Sequence, residues 1–165
     1  MGALCSTLYS SPLGCITLAS EGSGLVGLWF EGQKHFGAGY DLAHAASSPA
    51  PPLRAASAWL DAYFAGERPA PSALPLAPRG SPFRLAVWSL LLHIPYGQST
   101  TYGALAHALI AQGLSASARA VGNAVAHNPI SIIIPCHRVL SSSPASRLHY
   151  AAGSLAKQFL LNHEA

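Results

Sequence analysis

Short apolar runs at residues 6–9, 15–20 and 25–30 predict three strands. They are separated by Ser11-Pro12-Leu13-Gly14 and by Glu21-Gly22-Ser23-Gly24, both suited to tight turns, so the N-terminal region is expected to form a small antiparallel meander. Over residues 53–64, Trp59, Leu60, Tyr63 and Phe64 cluster at helical spacing, which predicts an amphipathic helix covering one face of that sheet. Pro69, Pro71, Pro75 and Pro78 stiffen residues 66–80 into a connector. The domain boundary is placed there, between an N-terminal α/β subdomain over 1–80 and a C-terminal domain over 81–165.

In the second half the hydrophobic period changes to that of helices. Ser81 as N-cap and Pro82 at the first helical position open a helix with Phe83, Val87, Leu90 and Leu91 on one stripe, ending near His93. The cap Ser99-Thr100-Thr101 predicts a second helix from Tyr102 to about Ala111, broken by Gly113. Ser115 is read as the cap of a third, with Ala118, Val121, Gly122 and Val125 inward and Arg119, Asn123 and Ala126 on the opposite side. Two helices joined by a short glycine-containing turn fit a helix-turn-helix, and they equally fit an ordinary helical hairpin. The small residues of the third helix make a slim rod with one projecting arginine, suited to close approach to a groove with little reading of base edges. Asn128-Pro129 stops that helix. Residues 130–134 predict a short, fully buried strand leading into Pro135-Cys136-His137-Arg138-Val139, and Ser154 is read as the cap of a last helix through Glu164, with Ala156, Phe159, Leu160 and His163 on one face. The fold class expected is α+β, a small N-terminal antiparallel sheet with a helix followed by a mostly helical C-terminal domain.

Composition narrows the setting. Of 165 residues, 50% are hydrophobic and 9% charged, which excludes a disordered or acidic solvating chain. The apolar runs near Leu90 and Ile132 stop short of the ~18 residues a membrane span needs, and no basic stretch precedes an apolar one at the N-terminus. Cys5, Cys15 and Cys136 are odd in number and without paired spacing, which argues against a disulfide framework and for a reducing, cytoplasmic location. Four basic and five acidic side chains lie in residues 1–80, whereas residues 81–165 hold Arg84, Arg119, Arg138, Arg147 and Lys157 against Glu164 alone. Such a bias is the footprint of a polyanion partner or of a solvated face.

A cysteine at the end of an apolar run, followed by histidine and arginine, has the ingredients for a thiolate nucleophile. Neighbours in an extended chain point to opposite sides, so Cys136 and His137 need a sharp turn or a bridging water to exchange a proton. A buried structural cysteine beside a surface histidine is the plainer alternative. No aspartate or glutamate lies between Glu67 and Glu164, so an acid that orients His137 from within this half has to be Glu164. The helix dipole opposes a negative charge in a last helical turn, and a specific partner would account for it, as would simple solvation.

Pro135-Cys136-His137-Arg138-Val139, with Asn128-Pro129 and Arg119-Ala120-Val121-Gly122 before it, resembles the O6-alkylguanine-DNA alkyltransferase family. The likeness extends to Phe83-x-x-x-Val87-Trp88, Ile94-Pro95-Tyr96-Gly97, Thr101-Tyr102-Gly103 and Lys157-x-x-Leu160-Leu161-x-x-Glu164, in order and spacing. Weaker matches occur at residues 11–14 and in Leu60-x-x-Tyr63-Phe64-x-Gly66. The resemblance implies single-turnover repair, in which a flipped O6-alkylguanine in the minor groove of double-stranded DNA gives its alkyl group irreversibly to Cys136. It implies that His137 deprotonates Cys136 through a water, that Glu164 orients the imidazole, that Asn128 braces the turn before the active-site segment, and that Tyr102 binds the base and helps protonate the leaving guanine. It assigns Arg119, as the finger filling the vacated stack, with Tyr102, Ala120, Gly122, Asn123 and Arg138 to the DNA interface, and Val139, Tyr150 and Ala151 to the substrate pocket. It implies a monomer without a cofactor. No metal is expected, because Cys5 and Cys15 do not match the zinc ligand set that some members carry.

The segment around Tyr150 departs from the family pattern Gly-x-x-Gly-Tyr-x-Gly-Gly: here residues 143–153 read Ser-Pro-Ala-Ser-Arg-Leu-His-Tyr-Ala-Ala-Gly. Each added Cβ reshapes the pocket wall. Competing readings are a sensor that binds alkylated bases without removing the alkyl group, a thiol hydrolase using Cys136 and His137, and a plain helix-turn-helix regulator. A sensor of that kind lacks the nucleophile, a hydrolase needs an oxyanion hole, and a regulator leaves the Cys-His-Arg run unexplained.

Overall fold

Leu4–Ser11 (β1), Gly14–Glu21 (β2) and Gly24–Phe30 (β3) form the antiparallel meander in the computed structural model, which describes residues 2–165. The β1–β2 turn is closed by Ser11, whose hydroxyl accepts from the Leu13 amide at 3.1 Å and donates to the Gly14 carbonyl at 2.7 Å. Gly14 sits at φ +102°, a region that side chains rarely adopt. A short fourth strand, Ala46–Ser47 (β4), pairs parallel with β1, so the sheet runs β3-β2-β1-β4 and is not purely antiparallel.

The covering helix, Pro51–Phe64 (α1), begins two residues before the predicted start. Pro51 and Pro52 fit its first turn, where an amide hydrogen would have no intrahelical partner. Pro52, Leu53, Ala56, Trp59, Leu60 and Tyr63 are buried at spacings of three and four, and this stripe packs on β1, β2 and β3. Ala19, Val26 and Trp29 form a separate cluster with Leu4, Tyr40 and Leu42.

The proline-rich connector does more than span. Leu25 donates to the Pro75 carbonyl and accepts from the Ala77 amide, both at 2.8 Å, so the connector runs along β3. Residues 129–131 also join β3: Leu28 donates to the Pro129 carbonyl at 2.8 Å and accepts from Ser131 at 3.1 Å. The strand predicted over 130–134 therefore reduces to a single bridge at Ile130, after which the chain turns through Ile132 at φ +70°. By contacts the chain divides into Met1–Arg79 with Pro129–Ser131, and Gly80–Asn128 with Ile132–Ala165. Residues 129–131 thus group with the first unit although they lie between the two segments of the second in the chain.

The second unit contains Pro82–Leu91 (α2), Tyr102–Ala111 (α3), Ala118–Ala126 (α4) and Ser154–Glu164 (α5) together with a two-residue parallel pair, Thr100–Thr101 (β5) with Val139–Leu140 (β6). Ser81 and Thr101 cap α2 and α3 through side-chain oxygens, as their positions predict. Two caps differ. Ser117 rather than Ser115 caps α4, accepting from the Ala120 amide at 3.1 Å, and α5 follows Gly153 at φ +96° with no side-chain cap. Trp88 of α2 donates its indole N–H to the Ala124 carbonyl of α4 at 2.8 Å, which fixes the two helices against each other. Among the described residues no helix is long and apolar enough to cross a membrane.

Gly27 shows how closely the first unit is packed. A Cβ there would run into the indole of Trp29, which is buried. Gly27→Ala is therefore expected to lower the unfolding free energy by about 1–3 kcal/mol through overpacking. An unchanged urea midpoint would show instead that the indole moves aside freely.

Candidate active site

The active-site segment is shaped by a turn. Asn128, buried just after α4, donates its amide to the Ile134 carbonyl at 2.8 Å and so closes the loop between them. Ile132, β-branched and buried, sits within that loop in the left-handed region, a conformation that costs about 1–2 kcal/mol and persists only where its surroundings dictate it. Cys136–Arg138 then forms one turn of 3-10 helix, with the Cys136 amide donating to Ile134 O at 2.8 Å and the Arg138 amide to Pro135 O at 3.1 Å. The sharp turn that a Cys136–His137 partnership requires is thus present in place of an extended chain.

Four charged or titratable side chains gather where α5 meets the 3-10 turn. His137, fully buried, places Nε2 at 2.7 Å from Glu164 Oε2. Glu164, also buried, accepts from Arg138 twice, Nε to Oε1 at 2.8 Å and Nη2 to Oε2 at 3.1 Å. Arg138 donates a third hydrogen bond, from Nη1 to the Ile94 carbonyl at 2.6 Å, and its guanidinium lies over the Tyr96 ring. Lys157 is buried and donates from Nζ to the Val139 carbonyl at 2.6 Å and the His149 carbonyl at 3.0 Å. His137 Nδ1 is buried and has no hydrogen-bond partner among the described residues.

Cys136 is 4% exposed, with Sγ 3.8 Å from the Tyr150 hydroxyl. Burial pushes its thiol up from the ordinary value, against the opposing pull of Asn128, the Tyr150 hydroxyl and the Lys157 ammonium. The sequence suggests a lowered thiol; in the folded protein desolvation outweighs the neighbouring donors and positive charge. Burial likewise pushes His137 down, with Glu164 raising it and Arg138 and Lys157 lowering it. Tyr102, half-buried at the start of α3, is raised by burial and by the charge of Cys136, which keeps its phenol protonated at neutral pH. The site thus pairs a protonated thiol with a neutral imidazole that has one vacant ring nitrogen, an arrangement suited to proton transfer followed by nucleophilic attack.

On the outer face, Arg119, Ala120 and Asn123 of α4 are exposed, and Gly122 is half-buried, facing the Tyr102 ring, which a Cβ at that position would meet at 3.7 Å. Arg119 stands between two clefts. One, of about 650 Å³, is lined by Tyr102, His107, Gly122, Ser141 and Ser142; the other, of about 510 Å³, by Ser81, Arg84, Ser117 and Asn123. Val139 is buried beside the 3-10 turn, and Ala151 lies half-buried in the turn after Tyr150. Arg138, assigned from the sequence to the DNA interface, is corrected by the structure. It is buried, and the hydrogen bonds to Glu164 and Ile94 engage Nε, Nη1 and Nη2, so it does not face a phosphate.

The sequence reading did not single out Lys157 as a buried group. The signal was available: Lys157, Leu160 and Glu164 recur at i, i+3 and i+7 and are all buried, whereas Phe159 and His163 are only partly so. Among the described residues no group of three or more His, Cys, Asp or Glu could hold a metal ion.

Comparison with known proteins places these features in context. Residues 82–165 match the family model of the 6-O-methylguanine DNA methyltransferase DNA binding domain, and residues 4–78 that of its ribonuclease-like domain. A methylated-DNA–protein-cysteine methyltransferase of Haemophilus influenzae is 37% identical over 164 residues, covering 99% of this chain and 88% of that protein. One of Mycobacterium tuberculosis is 41% identical over 155 residues, 93% of this chain and 88% of the relative. The crystal structure of M. tuberculosis OGT in complex with DNA superposes with a TM-score of 0.80 at 37% identity, covering 98% of this chain and 92% of that one.

Lys157 gives a test of the buried cluster. Burial holds its ammonium down from 10.5 to about 8, the charge of Cys136 acting the other way. Below pH 8 both folded and unfolded chains carry this proton; between about 8 and 10.5 the unfolded chain binds more, so the contribution of Lys157 to stability rises with pH across that window. The unfolding free energy of the wild type relative to Lys157→Met is expected to increase from pH 8 to pH 10.5. A constant difference in chemical denaturation over that range would refute the buried, destabilised ammonium.

Proposed function

Because the chain belongs to the 6-O-methylguanine DNA methyltransferase family, we propose that it repairs DNA by direct reversal, transferring an alkyl group from O6 of guanine to Cys136 and keeping it. The observation that carries this reading is a buried cysteine on a tight turn beside a histidine whose Nε2 is held by Glu164 and whose Nδ1 has no partner.

The proton of the Cys136 thiol passes to His137 Nδ1 through a water, and Glu164 at Nε2 stabilises the imidazolium that forms. This is the logic of an orienting carboxylate, a base and a nucleophile, with sulfur as the nucleophile. The thiolate attacks the O6-linked carbon in line. The S–C bond forms as the C–O6 bond breaks, and the bonding pair leaves with guanine, which takes a proton from the Tyr102 hydroxyl. A thioether is not readily hydrolysed, so the protein acts once. Backbone groups of Cys136 and Val139 and the amide of Ala151 hold the guanine edges, Tyr150 forms part of the pocket wall, and Asn128 maintains the turn.

The substrate base reaches this site by flipping out of the duplex. Residues 81–165 form the DNA-binding, alkyl-transfer domain and residues 1–80 an N-terminal α/β subdomain. The outer face of α4 enters the minor groove, where Ala120 and Gly122 allow close approach, Asn123 meets the backbone and Arg119 fills the vacated stack. The protein acts as a monomer in the cytoplasm. A sensor that binds the lesion without removing it has no use for a nucleophile, and the presence of Cys136 beside His137 and Glu164 favours transfer.

Incubation with a duplex carrying O6-methylguanine is expected to add one methyl group to Cys136 and no more, as read by intact mass and peptide mapping, while Cys136→Ala abolishes transfer and retains binding. Repeated turnover by one molecule would rule the mechanism out. Arg119→Ala should slow repair in duplex about tenfold or more, a barrier increase of about 1.4 kcal/mol, and leave reaction with free O6-benzylguanine unaltered. Equal losses on both substrates would remove Arg119 from base flipping.

A further inference from the structure

Arg138 belongs to the active-site segment, yet it faces neither the outer surface of α4 nor the thiol. Its guanidinium grips Glu164 with two parallel hydrogen bonds, and Glu164 Oε2 is the same oxygen that meets His137 Nε2. The third donor, to the Ile94 carbonyl, anchors the guanidinium from the stretch after α2, and the Gly97 amide points at Glu164 Oε1 from 3.4 Å. The Glu164 carboxylate draws a proton to the ring and so works against the burial that favours the neutral imidazole. An imidazolium has no vacant nitrogen to take the proton of a thiol.

We propose that Arg138 is a positioning residue for alkyl transfer: its bidentate clamp fixes Glu164 and offsets the pull of the carboxylate on the ring, so that buried His137 is free to accept the Cys136 proton at Nδ1. The inference rests on the reading of Cys136 as alkyl acceptor. The charged and titratable groups around the imidazole are consistent with it: Glu164 and Lys157 from α5, and Cys136 and Arg138 on its own turn. Of these only Glu164 draws a proton to the ring, and Arg138 is the cation that touches Glu164. A bidentate guanidinium suits this task because it fixes the carboxylate plane as well as its charge.

The test compares rates of alkyl transfer from free O6-benzylguanine across pH 5.5–9.5, a range chosen around the ordinary histidine value. In Arg138→Met the acid limb is expected to move up by about one pH unit or more, so that the rate falls about tenfold at pH 6.5 and recovers toward wild type at pH 9. Arg138→Lys, which keeps the charge on Glu164, should restore most of the acid limb. A loss that is equal at every pH, or a Lys variant shifted as far as the Met variant, would overturn the proposal. An NMR titration of His137 in the wild-type protein covers the case in which Arg138→Met does not fold: a neutral ring at pH 6.5 supports the proposal and a charged one overturns it. A wild-type protein that takes no alkyl group while His137 stays neutral would instead refute the reading of the function.

Discussion

A buried carboxylate at the last turn of α5 organises the second unit. Glu164 is 3% exposed and sits where the helix dipole disfavours negative charge, so it persists only by being fully partnered. His137 and Arg138 supply those partners from one 3-10 turn. Three elements are thereby brought into register: the C-terminus of α5, the Cys136–Arg138 turn, and the stretch following α2 that receives Arg138 through Ile94 O. Removing either Arg138 or Glu164 leaves an uncompensated buried charge, which costs about 3–5 kcal/mol, whereas the intact pair adds little net stability. Its value lies in fixing geometry.

That geometry sets the reactivity of the thiol. Burial makes the thiolate costly in the resting protein and favours the protonated thiol, so the proposed attack requires a base to accept its proton. Lys157 supplies positive charge without exposing itself, its ammonium satisfied by two carbonyls that belong to the segment on either side of the pocket loop. In the proposed mechanism the charges that stabilise a transient thiolate are in place before substrate binds, so little reorganisation accompanies the chemical step.

The outer face of α4 follows a different logic. Its inward residues, Val121, Ala124 and Val125, are buried against the unit's interior, and the Trp88 bond to Ala124 O fixes its position. The outward residues are small apart from Arg119, which leaves a narrow ridge with a cleft on each side. In the proposed complex with DNA such a ridge gains affinity from close backbone approach rather than from many charges, in keeping with the modest net charge of +3.

Much of this was legible in the order of residues. Turn sequences, helical periods and the caps Ser81 and Thr101 gave α1 to α3 and the meander, because those signals act within one or two turns of chain. Cys136, His137 and the lone carboxylate Glu164 stood out by type and scarcity. The run of four isoleucines and a serine at 130–134 misled, since β-branched residues favour strands locally but here β3 claims Ile130 and the Asn128 bond to Ile134 O turns the rest. Arg138 misled for a similar reason: its charge suggests a surface partner, and only the arrival of Glu164 from 26 positions away makes burial favourable. Local sequence thus determined which elements form and which side chains carry chemistry, through forces that reach a few residues. The tertiary structure decided which of those side chains lose their water and meet, because desolvation and pairing of charge depend on neighbours that the chain brings together only when folded.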